Sequence, residues 1–218
     1  MSKLSNKDFK DLLIEWYSNF INETVDRKKI NDEAWELVGN GLLHGDTNQE
    51  IMNFVKDELG LKEWLPNDKN FESKINVLTD QMIKLIHDEK MLVKEVSYEE
   101  IKNFKNLENP EEKKHSVLKK AHEISLSNDS DDIDKKSKLY DKLMVYRDNL
   151  GGGRNRGYSL SNLFEKVALK GDYPFPFVIK INNKDYVIGG RTRIYAAVAA
   201  GVPIKIYYLN AIHLKKIE

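Results

Sequence analysis

Through roughly the first ninety residues, apolar side chains return at every third or fourth position. Phe9, Leu12, Leu13, Trp16, Tyr17, Phe20, Ile21 and Val25 form one stripe, predicting an amphipathic helix that begins near Ser5. Ala34, Leu37, Val38 and Leu42 predict a second helix, broken by Gly39, Gly41 and Gly45. Thr47 and Glu50 have capping-box spacing ahead of Ile51, Phe54, Val55 and Leu59, and Gly60 supplies a stop. Ile75, Leu78, Met82, Leu85 and Ile86 share one face of a helix expected from about Phe71 to Lys90. Residues 1–90 thus read as a helical domain. Such bundles serve support, dimerisation or partner binding.

The pattern changes at Met91. Leu92 to Ser97 predicts a short strand, with Tyr98 to Ile101 starting a turn or helix. Pro110 opens a charged helix with Val117, Leu118, Ala121 and Ile124 as its apolar positions, and another helix carries Leu139, Leu143, Met144 and Tyr146. Between them lies an acidic stretch, Ser127 to Asp134. It lacks the glycine and terminal glutamate of a calcium loop and reads as a solvated loop that caps the following helix. Ser159 caps a short helix that ends at Gly171. Tyr173-Pro174-Phe175-Pro176 leads into a strand, Phe177 to Ile181. Asn182 to Asp185 turns the chain back into Tyr186-Val187-Ile188 as a hairpin. After Gly189-Gly190 come an alanine-rich helix, a stop at Gly201 and Pro203, and a last strand from Ile204 to Leu209. The class is therefore α+β: a helical N-terminal domain, then a domain at 91–218 with a small mixed sheet and helices inserted at about 110–148.

Composition narrows the chemistry. Lys+Arg and Asp+Glu each number 35, so the formal charge is zero and any nucleic-acid contact must be local. Cysteine is absent, which removes disulfides, thiolate metal sites and cysteine nucleophiles together. No apolar run reaches membrane-spanning length, and the N-terminus lacks a basic-then-apolar signal, so a cytoplasmic location and no membrane partner are expected.

Two glycine–arginine clusters stand out. In Gly189-Gly190-Arg191-Thr192-Arg193 a strand becomes a helix; a helix start offers unpaired amides and a positive dipole end, glycines permit close approach, and arginines supply planar forks for phosphate. Gly151-Gly152-Gly153-Arg154-Asn155-Arg156-Gly157-Tyr158 is the second. Arg154 and Arg156 suit phosphates there and Tyr158 suits a base, although the Gly-Lys-Ser/Thr ending of a P-loop is missing. The bland readings are an ordinary strand-to-helix turn and a hinge.

From Ser159 to Leu209, the order of helix, proline-led strand, hairpin, diglycine–arginine turn, alanine helix, Gly201-Val202-Pro203 and closing strand resembles the ParB/sulfiredoxin superfamily. The resemblance implies nucleotide phosphates at Gly189, Gly190, Arg191, Thr192 and Arg193. It is closest in flavour to stand-alone phage variants, which implies a bacterial or phage-infected cell. Sulfiredoxin chemistry is excluded because its turn needs a cysteine. The ParB pattern has adjacent arginines where Thr192 intervenes here, and no helix-turn-helix follows Leu209, so centromere-type DNA clamping is not expected.

Three functions follow as expectations. The first is nucleotide binding with phosphoryl transfer or hydrolysis, using Mg²⁺ with ATP or CTP and a nearby carboxylate, for which Glu95 and Glu99 are the candidates. The second is a DNA-binding module that sets both clusters on backbone phosphates, with Tyr158 stacking. The third is a non-catalytic interaction protein, forming a homo-oligomer or holding a protein partner through its N-terminal helices.

Overall fold

Phe177 to Ile181, Tyr186 to Ile188 and Ile204 to Leu209 are apolar at nearly every position, which marks strands covered on both faces. In the computed structural model they lie in the middle layer. It describes residues 27–43, 48–63, 69–88, 90–127, 132–152, 160–171 and 173–218. The helix predicted over Phe9 to Val25 falls outside these, as do Arg154, Arg156 and Tyr158.

Four strands, β1 (Met91–Val96), β2 (Phe177–Ile181), β3 (Lys184–Gly189) and β4 (Ile204–Asn210), form one sheet in the order β1-β4-β2-β3. β1 runs antiparallel to β4, β4 parallel to β2, and β2 antiparallel to β3, making the sheet mixed as expected. The predicted hairpin is present. Asn182 and Asn183, at φ 48° and 61°, take the left-handed pair that a two-residue hairpin loop requires, and asparagine tolerates it.

Met91, Val93, Phe177, Ile179, Ile181, Tyr186, Ile188, Tyr207 and Leu209 cover one sheet face together with α1 (Arg27–Leu43), α2 (Gln49–Asn53, widening into a π-turn over Phe54–Glu58) and α3 (Lys69–His87). The helices before residue 90 therefore share a core with the sheet. Val96, Val178, Val187, Ile204, Ile206 and Tyr208 point the other way. They pack among α6 (Val117–Ser125), α7 (Ile133–Arg147), α8 (Leu160–Glu165) and α9 (Arg191–Ala200), while two short helices, α4 (Tyr98–Ile101) and α5 (Pro110–Lys114), precede α6. In α9 every residue from Ile194 to Ala199 is buried, as befits a helix enclosed on all sides. Asp132 caps α7 as the acidic stretch predicts, its Oδ1 accepting from the Lys135 amide at 3.1 Å.

Two expectations are corrected. Gly39 and Gly41 do not break α1. At Gly41 a Cβ would lie 2.8 Å from Val55 Cγ2, so glycine there lets α1 and the π-turn after α2 approach closely. The helix opened by Pro110 is two helices, because Ser116 sits in the left-handed region at φ 54° and breaks it.

The capping box read at Thr47 and Glu50 falls partly outside the described residues, which leave out Thr47; the Glu50 carboxylate accepts from Lys184 Nζ and the Tyr186 hydroxyl, tying α2 to β3. Those donors hold the carboxyl below its ordinary range. Glu50→Gln should lower stability by less than about 1 kcal/mol near neutral pH. The deficit should vanish as pH falls through the carboxylate range, where wild type protonates and loses the same contact. Urea titrations at two pH values measure it.

Candidate phosphate site at the start of helix α9

The diglycine turn joins β3 to α9. Gly190 is the N-cap at φ 88°, and a Cβ on it would lie 2.7 Å from the Pro176 Cα, so both conformation and space demand glycine. The amides of Arg193 and Ile194 bond back to the Gly190 carbonyl at 2.9 and 3.2 Å. Those of Arg191 and Thr192 have no helical carbonyl behind them, as at any helix start. Asn40 on α1 and Asn106 beyond α4 steady the strand, donating to the carbonyls of Ile188 and Val187 at 3.0 and 2.8 Å.

The turn's side chains divide between two environments. Arg191 and Thr192 face inward. Glu112, fully buried on α5, accepts from Arg147 Nε and from Arg191 Nη1, the latter at 3.4 Å, while Arg147 Nη1 donates to Thr192 Oγ1 at 3.4 Å. Asn109 and Glu112 complete a capping box on α5, and the Tyr140 hydroxyl donates to the Thr192 carbonyl at 2.9 Å. The Arg147 guanidinium lies 5.1 Å from the Tyr195 ring centre. Burial, then the Glu112 and Glu108 carboxylates, push the Tyr195 phenol far above its ordinary range, so it stays a neutral donor to the Leu107 carbonyl.

Arg193 faces outward. It donates to the Pro174 carbonyl and borders an open cavity of about 370 Å³. Gly189 and Gly190 form one wall, and α1 supplies Lys28, Lys29, Asp32, Glu33 and Glu36. Lys28 pairs with Asp32 at 3.5 Å, and Lys29 Nζ lies 3.4 Å from the Tyr207 hydroxyl. Glu33 is buried, and desolvation with help from Glu36 pushes its carboxyl up to about 7 against the pull of Arg193 and Lys29. A Cβ on Gly189 would lie 2.7 Å from Glu33 Oε2 and 3.2 Å from Glu36 Oε2.

Gly189→Ala should therefore push the Glu33 carboxylate aside while leaving the strand intact, since the obstructing atom ends a flexible side chain. We expect a small change in Tm and an altered Glu33 titration, followed through its carboxyl carbon signal.

Glu95 and Glu99 are not brought to this turn. Glu95 is exposed on β1 opposite Lys205, with β4 and β2 between it and β3. Glu99 is exposed on α4 and pairs with Lys102. The carboxylates beside the turn are instead Glu33, Glu36, Asp32 and Glu112, none of which sequence reading singled out. Two carried a signal: Glu33 interrupts the apolar stripe Ile30, Ala34, Leu37, and Glu112 stands three residues after Asn109 with proline between. Among the described residues no cluster of three or more His, Asp or Glu has the arrangement of a metal site, and no helix is long and apolar enough to cross a membrane. No family model, curated protein or solved structure matches the chain.

Proposed function

We propose that the chain binds the phosphates of a nucleotide in the cavity at the start of α9 and transfers or hydrolyses the terminal phosphoryl group. The observation that carries this reading is the meeting of Arg193, Lys28 and Lys29 with the diglycine backbone at a helix start. The ParB/sulfiredoxin resemblance, which implies phosphates at this turn, is the second support for the reading. A cavity of about 370 Å³ suits the phosphate end of such a ligand. Among the described residues its lining has no aromatic ring.

A Mg²⁺ that arrives with nucleotide phosphates needs only one or two protein carboxylates, and the acidic side chains of the cavity wall would be the candidates to meet it. It would neutralise charge on the phosphates. Arg193 orients them, and Lys28 and Lys29 balance their charge. Arg191 and Thr192, held from within by Glu112 and Arg147, fix the turn's shape.

Titration of the full chain with ATP, CTP, GTP and a short DNA, with and without Mg²⁺, tests the proposal. Saturable nucleotide binding is expected. Arg193→Ala should weaken it roughly 10- to 100-fold, the worth of one charge-assisted hydrogen bond. Arg191→Ala should act more on stability than on affinity, because that side chain is spent on Glu112. DNA binding with a steep salt slope and no response to nucleotide would overturn the reading.

A further inference from the structure

The two edges of the sheet are finished differently. At β3 the outer edge is closed: the Lys105 amide donates to the Asp185 carbonyl at 2.8 Å, the Val187 amide to the Lys105 carbonyl at 3.0 Å, and Asn106 Nδ2 to the Val187 carbonyl at 2.8 Å. At β1, the other edge, the direction of the backbone groups follows from β4. The Tyr207 amide donates to the Pro176 carbonyl at 2.8 Å and the Lys205 amide to the Tyr173 hydroxyl at 3.1 Å, so both point to the β2 side, away from β1. In an antiparallel pair the residue opposite such a position also points away. Val93 faces Tyr207 and Glu95 faces Lys205, so the amides and carbonyls of Met91, Val93 and Glu95 are directed past the edge. Among the described residues nothing bonds to these three amides and three carbonyls.

Natural edge strands are blunted by a proline, a bulge, a projecting lysine or a covering segment. Among the described residues β1 has none of these. Met91-Leu92-Val93-Lys94-Glu95-Val96 holds no proline, and its register with β4 is unbroken from Met91 opposite Leu209 to Val96 opposite Ile204. Lys94, the residue placed to guard the edge, is turned inward: its Nζ lies 3.4 Å from the centre of the Tyr208 ring on β4. Leu92 stays 47% exposed.

We propose that β1 pairs antiparallel with β1 of a second copy of this chain, about a two-fold axis at Val93, joining two four-stranded sheets into one. Symmetry and hydrogen bonding select that register. Centring on Val93 sets Val93 against itself and Met91 against Glu95 of the second copy, so every outward amide and carbonyl finds a partner. On the opposite face Leu92 lies against the aliphatic stem of Lys94 of the second copy, while each lysine head stays over its own Tyr208. Centring on Lys94 would set the two lysines face to face. Centring on Leu92 would set Lys94 against Lys90 and leave the Glu95 groups without a strand partner. The strand is therefore self-complementary in one register. The cavity at α9 borders β3, with β4 and β2 between it and this edge, so pairing leaves it open in both copies and does not depend on the phosphate reading.

Sedimentation equilibrium of the full chain from about 1 μM to about 1 mM should show a reversible monomer–dimer equilibrium. Glu95→Pro keeps every bond within the sheet, because that amide points outward, and should weaken the dimer roughly 30-fold by removing two hydrogen bonds across the axis. Leu92→Lys, at an exposed side chain, sets like charges opposite one another and should weaken it most at low salt. The chain has no cysteine, so single-cysteine chains report the register. A mixture of Leu92→Cys and Lys94→Cys chains should form the mixed disulfide on mild oxidation, since directly opposite Cα atoms are about 4.5 Å apart. Leu92→Cys alone should not, its two sites lying about 7–8 Å apart on the diagonal.

Wild type that stays monomeric over the whole range overturns the proposal, and is the result expected if a different segment lies along β1. A dimer that Glu95→Pro or Leu92→Lys leaves at wild-type affinity has its interface elsewhere and overturns it too. So does a Leu92→Cys homodisulfide that forms in preference to the mixed pair. The cross-linking pattern decides the matter even if Glu95→Pro folds poorly, since neither cysteine replaces a core side chain.

Discussion

Arg147→Met is expected to cost about 3–5 kcal/mol of stability, because it leaves the buried Glu112 carboxylate without its principal cation. Both side chains are almost wholly inaccessible, at 3% and 0% exposure, so water cannot take over. What remains to Glu112 is the Asn109 amide at 2.8 Å and Arg191 Nη1 at 3.4 Å. The loss extends to the turn, since Arg147 also reaches Thr192 Oγ1 and faces the Tyr195 ring. For a chain of this size the cost corresponds to a fall in Tm of roughly 6–20 °C. Glu112→Leu combined with Arg147→Met should recover much of it, because an apolar pair of similar volume often replaces a buried ion pair without loss. Thermal unfolding of the single and double variants measures the coupling directly. A single-variant loss below about 1 kcal/mol would show that water or Arg191 satisfies Glu112.

The same pair shows how far the fold was legible in the sequence and where legibility stopped. Local signals placed the strands and helices well. The apolar runs at Phe177, Tyr186 and Ile204 are strands, the two asparagines at 182 and 183 form the hairpin turn, and Gly201 ends α9. Those features depend on a residue and its near neighbours. The environment of the turn depends on residues far away in the chain. Glu112 meets Arg147 across 35 positions and Arg191 across 79, and no periodicity records such a meeting. A partial signal existed all the same: Arg147 continues the buried stripe Tyr140, Leu143, Met144 of α7, as Glu33 lies on that of α1. A charged residue on a core stripe must find a partner or yield its charge. Glu95 and Glu99 drew attention by lying near a strand end, but that strand is the edge farthest from β3. Sequence distance from the turn was a poor guide. Gly41 failed in the opposite sense, since a glycine read as a helix breaker instead marks where two helices touch.

Glu33→Gln is expected to stabilise the protein above neutral pH by about 3 kcal/mol and to leave it unchanged in acid. In the unfolded chain the carboxyl titrates at its ordinary value of 4.5, whereas in the fold burial first, and Glu36 next, raise it to about 7. Between those values the native state keeps a proton that the unfolded state has released. Wild-type stability must then fall as pH rises through this window, and the loss is complete once pH passes the folded value. Glutamine presents the same shape without a charge to desolvate, so its stability lacks that fall. The difference between variant and wild type should be nil at about pH 4, grow through neutrality and level off near pH 8. Chemical denaturation at four or five pH values maps the curve. A flat difference would mean that Glu33 is hydrated through the open cavity or compensated fully by Arg193 and Lys29. A difference that grows toward acid would reverse the sign and identify Glu33 as a stabilising ion. The expected curve shows a cost in stability carried at a cavity lined by α1, β3 and α9. A buried carboxyl with no ion-pair partner among the described residues destabilises the resting protein there as soon as it must ionise.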